Sequence, residues 1–444
     1  MTAAVGAPLG WPGILRLGLV QAALGAIVVL TTSTLNRVMV VELALPAMLP
    51  GALVALHYAV QVLRPRLGYG SDVGGRRTPW IIGGMAVLAI GGVLATLATV
   101  LMFSDRTAGI ALAILAFVLV GGGIGACGTA LLVLLAARVD ERRRAGAATV
   151  VWLMMILGAA VTAGLVGHFL EPFSPARLVQ VTLTVAALAF TVALIATLGV
   201  EGRVPAVAQE APPPFRAALA QVWSEPRARR FTVFIFVAIL AFSAQDLILE
   251  PFAGTVFGMT PGESTALSGV QNGGVLLGML LLAVLGSTAW GRRLCRLQTW
   301  AFIGSVASGV VLCGIALGGL AGVGFPLRVA VFALGATTGV LLVATVGSMM
   351  ALASEGRGHR EGVRVGLWGA AQAVANAIGG FLGTAAIDLI RLLLDSPAAA
   401  YGTVFMAEAA LFLVAAVLAL QVTRPDREGV GAPLALAEQD AAGA

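Results

Sequence analysis

Apolar residues fill this chain in long, nearly unbroken runs, and polar residues gather in short interruptions between them. Twelve runs lie near 15–41, 43–63, 79–103, 108–137, 147–170, 177–200, 231–257, 264–289, 298–321, 325–352, 363–390 and 400–422. Each is close to the roughly 20 residues that a helix needs to cross a hydrocarbon core of about 30 Å. In lipid the backbone must satisfy its own hydrogen bonds, so each run is predicted to be a helix. The expectation is an all-α polytopic membrane protein with twelve transmembrane helices and both termini on one side.

Composition agrees with that reading. Hydrophobic residues make up 59% of the chain and charged residues only 11%, with a mean hydropathy of +0.99. A soluble domain carries about a quarter charged residues. All 27 basic residues are arginine, and 22 of them fall in the even-numbered loops or the terminal segments. The other side of the predicted membrane has 5: Arg37, Arg106, Arg177, Arg328 and Arg391. The positive-inside rule therefore predicts cytoplasmic termini in a bacterial inner membrane. The net charge of +6 does not suggest nucleic acid, because the arginines are distributed among short loops. Residues 1–13 lack the charged start and cleavage site of a signal peptide, so the first span is expected to be retained. Cys127, Cys295 and Cys313 show no metal-ligand spacing.

The longest interruption holds Pro205 and the run Pro212, Pro213, Pro214, and it divides the spans six and six. The expected organisation is a six-helix half over 1–200, a cytoplasmic linker over 201–230, a second half over 231–422 and a tail over 423–444. Phe215 to Arg230 is either a short interfacial helix, with Phe215, Leu219, Val222 and Trp223 toward lipid, or a solvated basic linker. The halves repeat: a shift of 216 residues carries Gly75, Arg76 and Arg77 onto Gly291, Arg292 and Arg293. The same shift carries Arg144, Gly146, Trp152, Gly164 and Gly167 onto Arg360, Gly362, Trp368, Gly380 and Gly383. An even number of spans per half makes the two copies parallel.

After the second run, Gly68, Asp72, Gly75, Arg76 and Arg77 are spaced as in the major facilitator signature GxLaDrxGRR. The segment resembles that signature, with Gly70 and Val73 as departures and Thr288 in place of the aspartate in the second copy. The resemblance implies a major facilitator fold of two parallel six-helix halves. It also implies a cytoplasmic gate motif, with a weaker gate network than a typical active transporter has. Two further segments narrow the family: Asn36 through Glu42, which follows the NRVMIVEL type, and Gln245 through Met259, which follows the QDxLLEPxGGxVFGM type. They are similar to the hallmark segments of the PucC/LhaA group, the bacteriochlorophyll-delivery branch of that superfamily. The segment from Leu43 to Tyr58, with a compact loop between the second and third spans, most resembles the shorter members linked to bacteriochlorophyll synthesis.

That resemblance implies a photosynthetic assembly factor that binds or delivers bacteriochlorophyll, or a precursor, as bound cargo. Light-harvesting or reaction-centre polypeptides, or pigment-synthesis enzymes, would be its partners. Two other readings stand beside it: a proton-coupled small-molecule exporter and a non-catalytic accessory subunit of chlorophyll synthase. Enzyme chemistry finds no support, since the aspartates are scattered and no lysine exists to complete a phosphate loop.

Ionisable groups within spans are costly and mark candidate sites. Asn36, Arg37 and Glu42 end the first span, while Gln245, Asp246 and Glu250 lie in the seventh, where Pro251 predicts a bend. Arg37 is expected to meet Asp246 or Glu250. His57 is the candidate pigment ligand, because an imidazole nitrogen can bind the pigment's magnesium; an interhelical hydrogen bond is the plainer role. Glu408 is the one deep carboxyl outside the seventh span, readable as a proton-coupling group or simply as a neutral, protonated glutamate, and no metal-ion site of the protein's own is expected.

Overall fold

The computed structural model describes residues 9–64, 76–201, 223–287, 296–322, 324–354, 361–394 and 396–422. Among these residues twelve long helical elements follow one another: α1 (Trp11–Glu42), α2 (Met48–Leu63), α3 (Thr78–Leu101), α4 (Arg106–Arg138), α5 (Glu141–Phe169) and α6 (Pro175–Thr197), then α7 (Pro226–Phe257), α8 (Pro261–Ser287), α9 (Leu297–Ala321), α10 (Leu327–Ser354), α11 (Glu361–Leu393) and α12 (Pro397–Gln421). Eleven of them are long and apolar enough to cross a membrane, and α2 is shorter. The second apolar run starts at residue 43 in the sequence. Its helix begins only at Met48, because Leu43 to Ala47 form an irregular connection with Ala44 at φ 50°.

Local chemistry sets several helix starts. Asp105 and Ser174 each accept a backbone N–H of the helix that follows, and Ser396 does the same for α12. Proline stands in the first turn of α3, α6, α7 and α12, where its missing N–H costs nothing.

Packing follows a pattern that repeats after six helices. In the first half α1 packs on α5 and α6, α3 on α4 and α6, and α2 on α4. In the second half α7 packs on α11 and α12, α9 on α10 and α12, and α8 on α10. The halves join through α2 against α11 and α5 against α8, which are themselves a pair under the same shift. Small residues permit the second crossing. A Cβ on Gly167 would lie 2.6 Å from the Gly262 carbonyl oxygen, and one on Gly269 would lie 2.9 Å from the Gly164 nitrogen. The repeat partner Gly383 makes a similar approach, with a Cβ 2.3 Å from that of Ala244 on α7.

Large apolar side chains such as Leu392, Val329 and Leu188 face outward, as lipid-facing surface requires. The protein is a multi-pass membrane protein with a major facilitator arrangement.

Candidate functional site

The site forms where α1 and α7 meet, and both helices are irregular there. α1 widens into two π-helical stretches, Leu30–Thr34 and Val38–Glu42, on either side of Asn36 and Arg37. Such bulges rotate side chains off the regular α-helical register and recur at functional sites. Thr31 and Thr32 return their hydroxyls to carbonyls of the preceding turn, which helps satisfy the widened backbone.

α7 is interrupted at Ala244, between Ser243 and Gln245. The bend expected at Pro251 is not the interruption: the helix Gln245–Phe257 runs through that proline. Pro251 has no N–H, so the Leu247 carbonyl one turn earlier loses its intrahelical donor. The Asn36 side-chain amide, reaching across from α1, donates to that carbonyl. Asn36 is 1% exposed, and its Oδ1 has no partner.

Arg37 is also buried. Its guanidinium pairs with Glu42 on its own helix and donates to the Met259 carbonyl at 2.7 Å. The expected pairing with Asp246 or Glu250 is therefore corrected: the bulge at Val38–Glu42 brings Glu42 back within reach, and the short intrahelical pair wins. Met259 presents its carbonyl because Gly258, in the left-handed region at φ 67°, turns the chain out of α7.

Glu250 points into α8, where Ser268 and Thr265 donate to its two oxygens. Thr265 in turn bonds Thr34 of α1 at 3.2 Å. Gln245 is buried and returns to the Ala241 carbonyl at 3.4 Å. Asp246 differs from Glu250, although the two are one turn apart. Its side chain is exposed while both sequence neighbours are buried. Ser33 of α1, Tyr58 of α2 and Glu408 of α12 lie around it. An exposed group enclosed by three other helices lines internal space between them, and this is where the two halves face each other.

His57 is 1% exposed and packed beneath α4, where a Cβ on Gly121 would meet its carbonyl oxygen at 2.5 Å. Its Nδ1 stands 2.7 Å from the Val54 carbonyl, and Tyr58 lies against its ring at 4.1 Å between centroids. The Nδ1 bond leaves Nε2 as the nitrogen with a free lone pair.

Of the gate motif, Gly68, Asp72 and Gly75 lie outside the described residues, whereas Arg76 and Arg77 precede α3. Here the structure adds Glu201, which the sequence pattern does not single out. Its carboxylate accepts the backbone N–H of Arg77 and of Thr78, the latter at 3.0 Å, and so caps α3. Burial opposes its charge, yet the Thr78 side chain, those two N–H groups and the Arg76 charge together hold the carboxyl below its usual range.

Polar links between the halves gather at the Glu42 end of the bundle. Besides Arg37 to Met259, Asp388 of α11 accepts the backbone N–H of Ala47 at 3.0 Å and of Met48 at 2.6 Å. Thr260 donates its hydroxyl to Glu171. Asp388 and Glu171 are also additions of the structure: each caps or bonds across a long sequence distance, and no local pattern announces it.

Comparisons with known proteins agree with this architecture. A single-residue variant of the nucleoside transporter NupG superposes with a TM-score of 0.69 at 14% identity, over 93% of this chain and all of that one (100%). A bacterial homologue of the human lysosomal transporter Spinster, inward-facing and occupied, gives 0.68 at 14% identity, over 94% and 97% of the two chains. At that identity the likeness is one of fold alone. Among sequences, the "Bacteriochlorophyll synthase 44.5 kDa chain" of Rhodobacter capsulatus is 52% identical over 93% of this chain and 96% of its own. "Protein PucC" of Cereibacter sphaeroides is 32% identical over 93% and 92%. The family model described as "PUCC protein" matches residues 34–427, from the bulged part of α1 to beyond α12, and the chain belongs to the PucC family.

Proposed function

We propose that the chain binds a bacteriochlorophyll, or a precursor of it, in the space between its halves and presents the pigment to partner polypeptides in the membrane. The observation that carries this reading is the 52% identity, over nearly the whole chain, to a protein named for bacteriochlorophyll synthesis. Three features support it. Both helices are irregular where α1 meets α7, the exposed Asp246 at that level offers polar contacts to a macrocycle's substituents, and His57 has an Nε2 lone pair suited to a pigment magnesium. His57 is closed off in this conformation, so its use as a ligand requires α2 to ease away from α4.

Gentle purification from a pigmented host, followed by absorption spectroscopy, tests the proposal. Pigment should co-purify with the wild-type chain near one-to-one, and His57→Leu should alter its spectrum or its retention. A colourless monodisperse wild-type preparation that also fails to take up added bacteriochlorophyll would end this reading.

The relative's name favours a second reading, an accessory subunit of a pigment synthase. We infer no catalysis by this chain alone, because its aspartates are not paired into clusters that hold magnesium and a diphosphate. The same preparation, given bacteriochlorophyllide, a prenyl diphosphate and magnesium, should form no ester. Turnover above a protein-free control would refute that inference.

A further inference from the structure

One deep carboxyl takes no part in the interactions described above. Glu408 stands midway along α12, 4% exposed; no side chain bonds either of its oxygens, and the polar group nearest them is the Ala244 backbone N–H. A bare carboxylate in such a place is among the most costly groups a membrane protein can hold. α12 packs on both parts of α7, and the Glu408 carboxyl lies beside the Ala244 interruption with Asp246 as its charged neighbour. Asp246 in turn opens onto the internal space between the halves.

We propose that Glu408 and Asp246 form a proton-binding site in which one proton is held by the pair and exchanged with water in the cavity.

The surroundings favour a proton over other occupants. The nearby Asn36 amide, one residue from this level through its bond to Leu247, has a free oxygen as well, so the level is rich in acceptors. Whatever enters must bring a donor or a positive charge. Among the described residues no group of three or more His, Cys, Asp or Glu side chains is placed to hold a metal ion, and two carboxyls alone make a poor metal cage. Nor does a cation of the protein fill the role. Arg227, Arg229 and Arg230 lie about 25 Å away along α7. On α11, Asp388 and Arg391 sit at the Ala47 end, and Arg37 is engaged with Glu42. α9 contributes only Cys313 near the middle of the span, and α12 itself adds Tyr401, two turns away against Phe252. Glu250, one turn along α7 but turned into α8, and Tyr58 of α2, on the Asp246 side, are the remaining titratable neighbours.

Two neighbouring carboxylates, one of them buried, cannot both ionise cheaply in a dry setting, so they titrate as a unit. A proton from cavity water adds to one carboxylate oxygen and leaves by the same path, and no covalent bond within the protein changes. Loss of the proton would leave two like charges between α12 and the interrupted α7, a force that separates those helices. The site does not depend on the pigment reading, since it needs only the buried Glu408 and the exposed Asp246 beside it.

A hydrophobic carbodiimide, which reacts with protonated buried carboxyls, tests the proposal on the full chain in lipid nanodiscs. Mass spectrometry should find the adduct on Glu408 at neutral pH and its loss in alkaline buffer. Asp246→Asn should move the pH of half-labelling by about one unit or more, as coupled groups require. Asp246→Ser serves the same purpose if the amide destabilises the chain. Two results would overturn the proposal: an unlabelled Glu408 at every pH while exposed carboxyls react, or a labelling curve indifferent to both Asp246 variants. Protection by sodium or magnesium with no pH dependence would also overturn it, in favour of a metal cation.

Discussion

Pro251 removes a donor from the middle of α7, and the Leu247 carbonyl it orphans is answered by a residue 211 positions away, Asn36. The two residues are therefore coupled through a backbone atom that belongs to neither. Asn36→Leu should leave that carbonyl unpaired and lower stability by about 1–2 kcal/mol. Pro251→Ala restores the helical N–H, so the double variant should recover most of the loss. Thermal unfolding in detergent of the wild type, both single variants and the double variant checks the coupling, and simple additivity would disprove it. Sequence alone singled out both residues, and the rule that proline frees the carbonyl four residues earlier was available to join them. What it lacked was the crossing of α1 and α7, which decides that Asn36 and not Gln245 reaches the carbonyl. The same gap explains Arg37: its partner depends on a bulge, and apolar periodicity cannot distinguish a π-stretch from an α-helix.

At the scale of the element, α3 begins under Glu201, a residue from the end of α6. The carboxylate faces a helix N-terminus, where the aligned backbone dipoles and free N–H groups favour negative charge. Because the folded-state value of Glu201 is depressed, its stabilisation is fully present above the unfolded glutamate value of about 4.3 and is lost as pH falls through the folded value. Glu201→Gln should cost about 1 kcal/mol at neutral pH, in the range of helix caps. The difference between variant and wild type should shrink below about pH 4. Melting curves at several pH values measure both, and a constant gap at all pH values would rule out the charged cap. Neighbouring motif residues made this end of α3 conspicuous in the sequence. Glu201 itself was invisible, because it falls at the margin between a span and a linker, where an acidic residue is ordinary.

Across the whole molecule, the helices and their six-plus-six repeat were readable from apolar runs and from one offset of 216 residues, since lipid leaves a chain few other ways to satisfy its backbone. Orientation rests on the arginine asymmetry. Reporter fusions within the linker between α6 and α7 and in the tail after α12 should both read cytoplasmic, and a periplasmic signal from either would invert or break the topology.

The links that fasten the halves have a further property. Asn36 and Arg37 grip carbonyls of residues 247 and 259, and Asp388 grips the N–H groups of residues 47 and 48. In each case a side chain of one half holds the bare backbone of the other. The two ends of each link are thus unequal in what they demand of inheritance. Met48, which is exposed, and the half-buried Met259 can drift in side-chain identity without loosening the grip, provided no proline enters at 48, whereas the buried Ala47 and Leu247 are held by packing alone. Asn36, Arg37 and Asp388 have no such freedom. A saturation library scored for intact protein should find Asn36, Arg37 and Asp388 intolerant even of conservative change, Met48 and Met259 permissive, and Ala47 and Leu247 tolerant only of apolar residues of similar size.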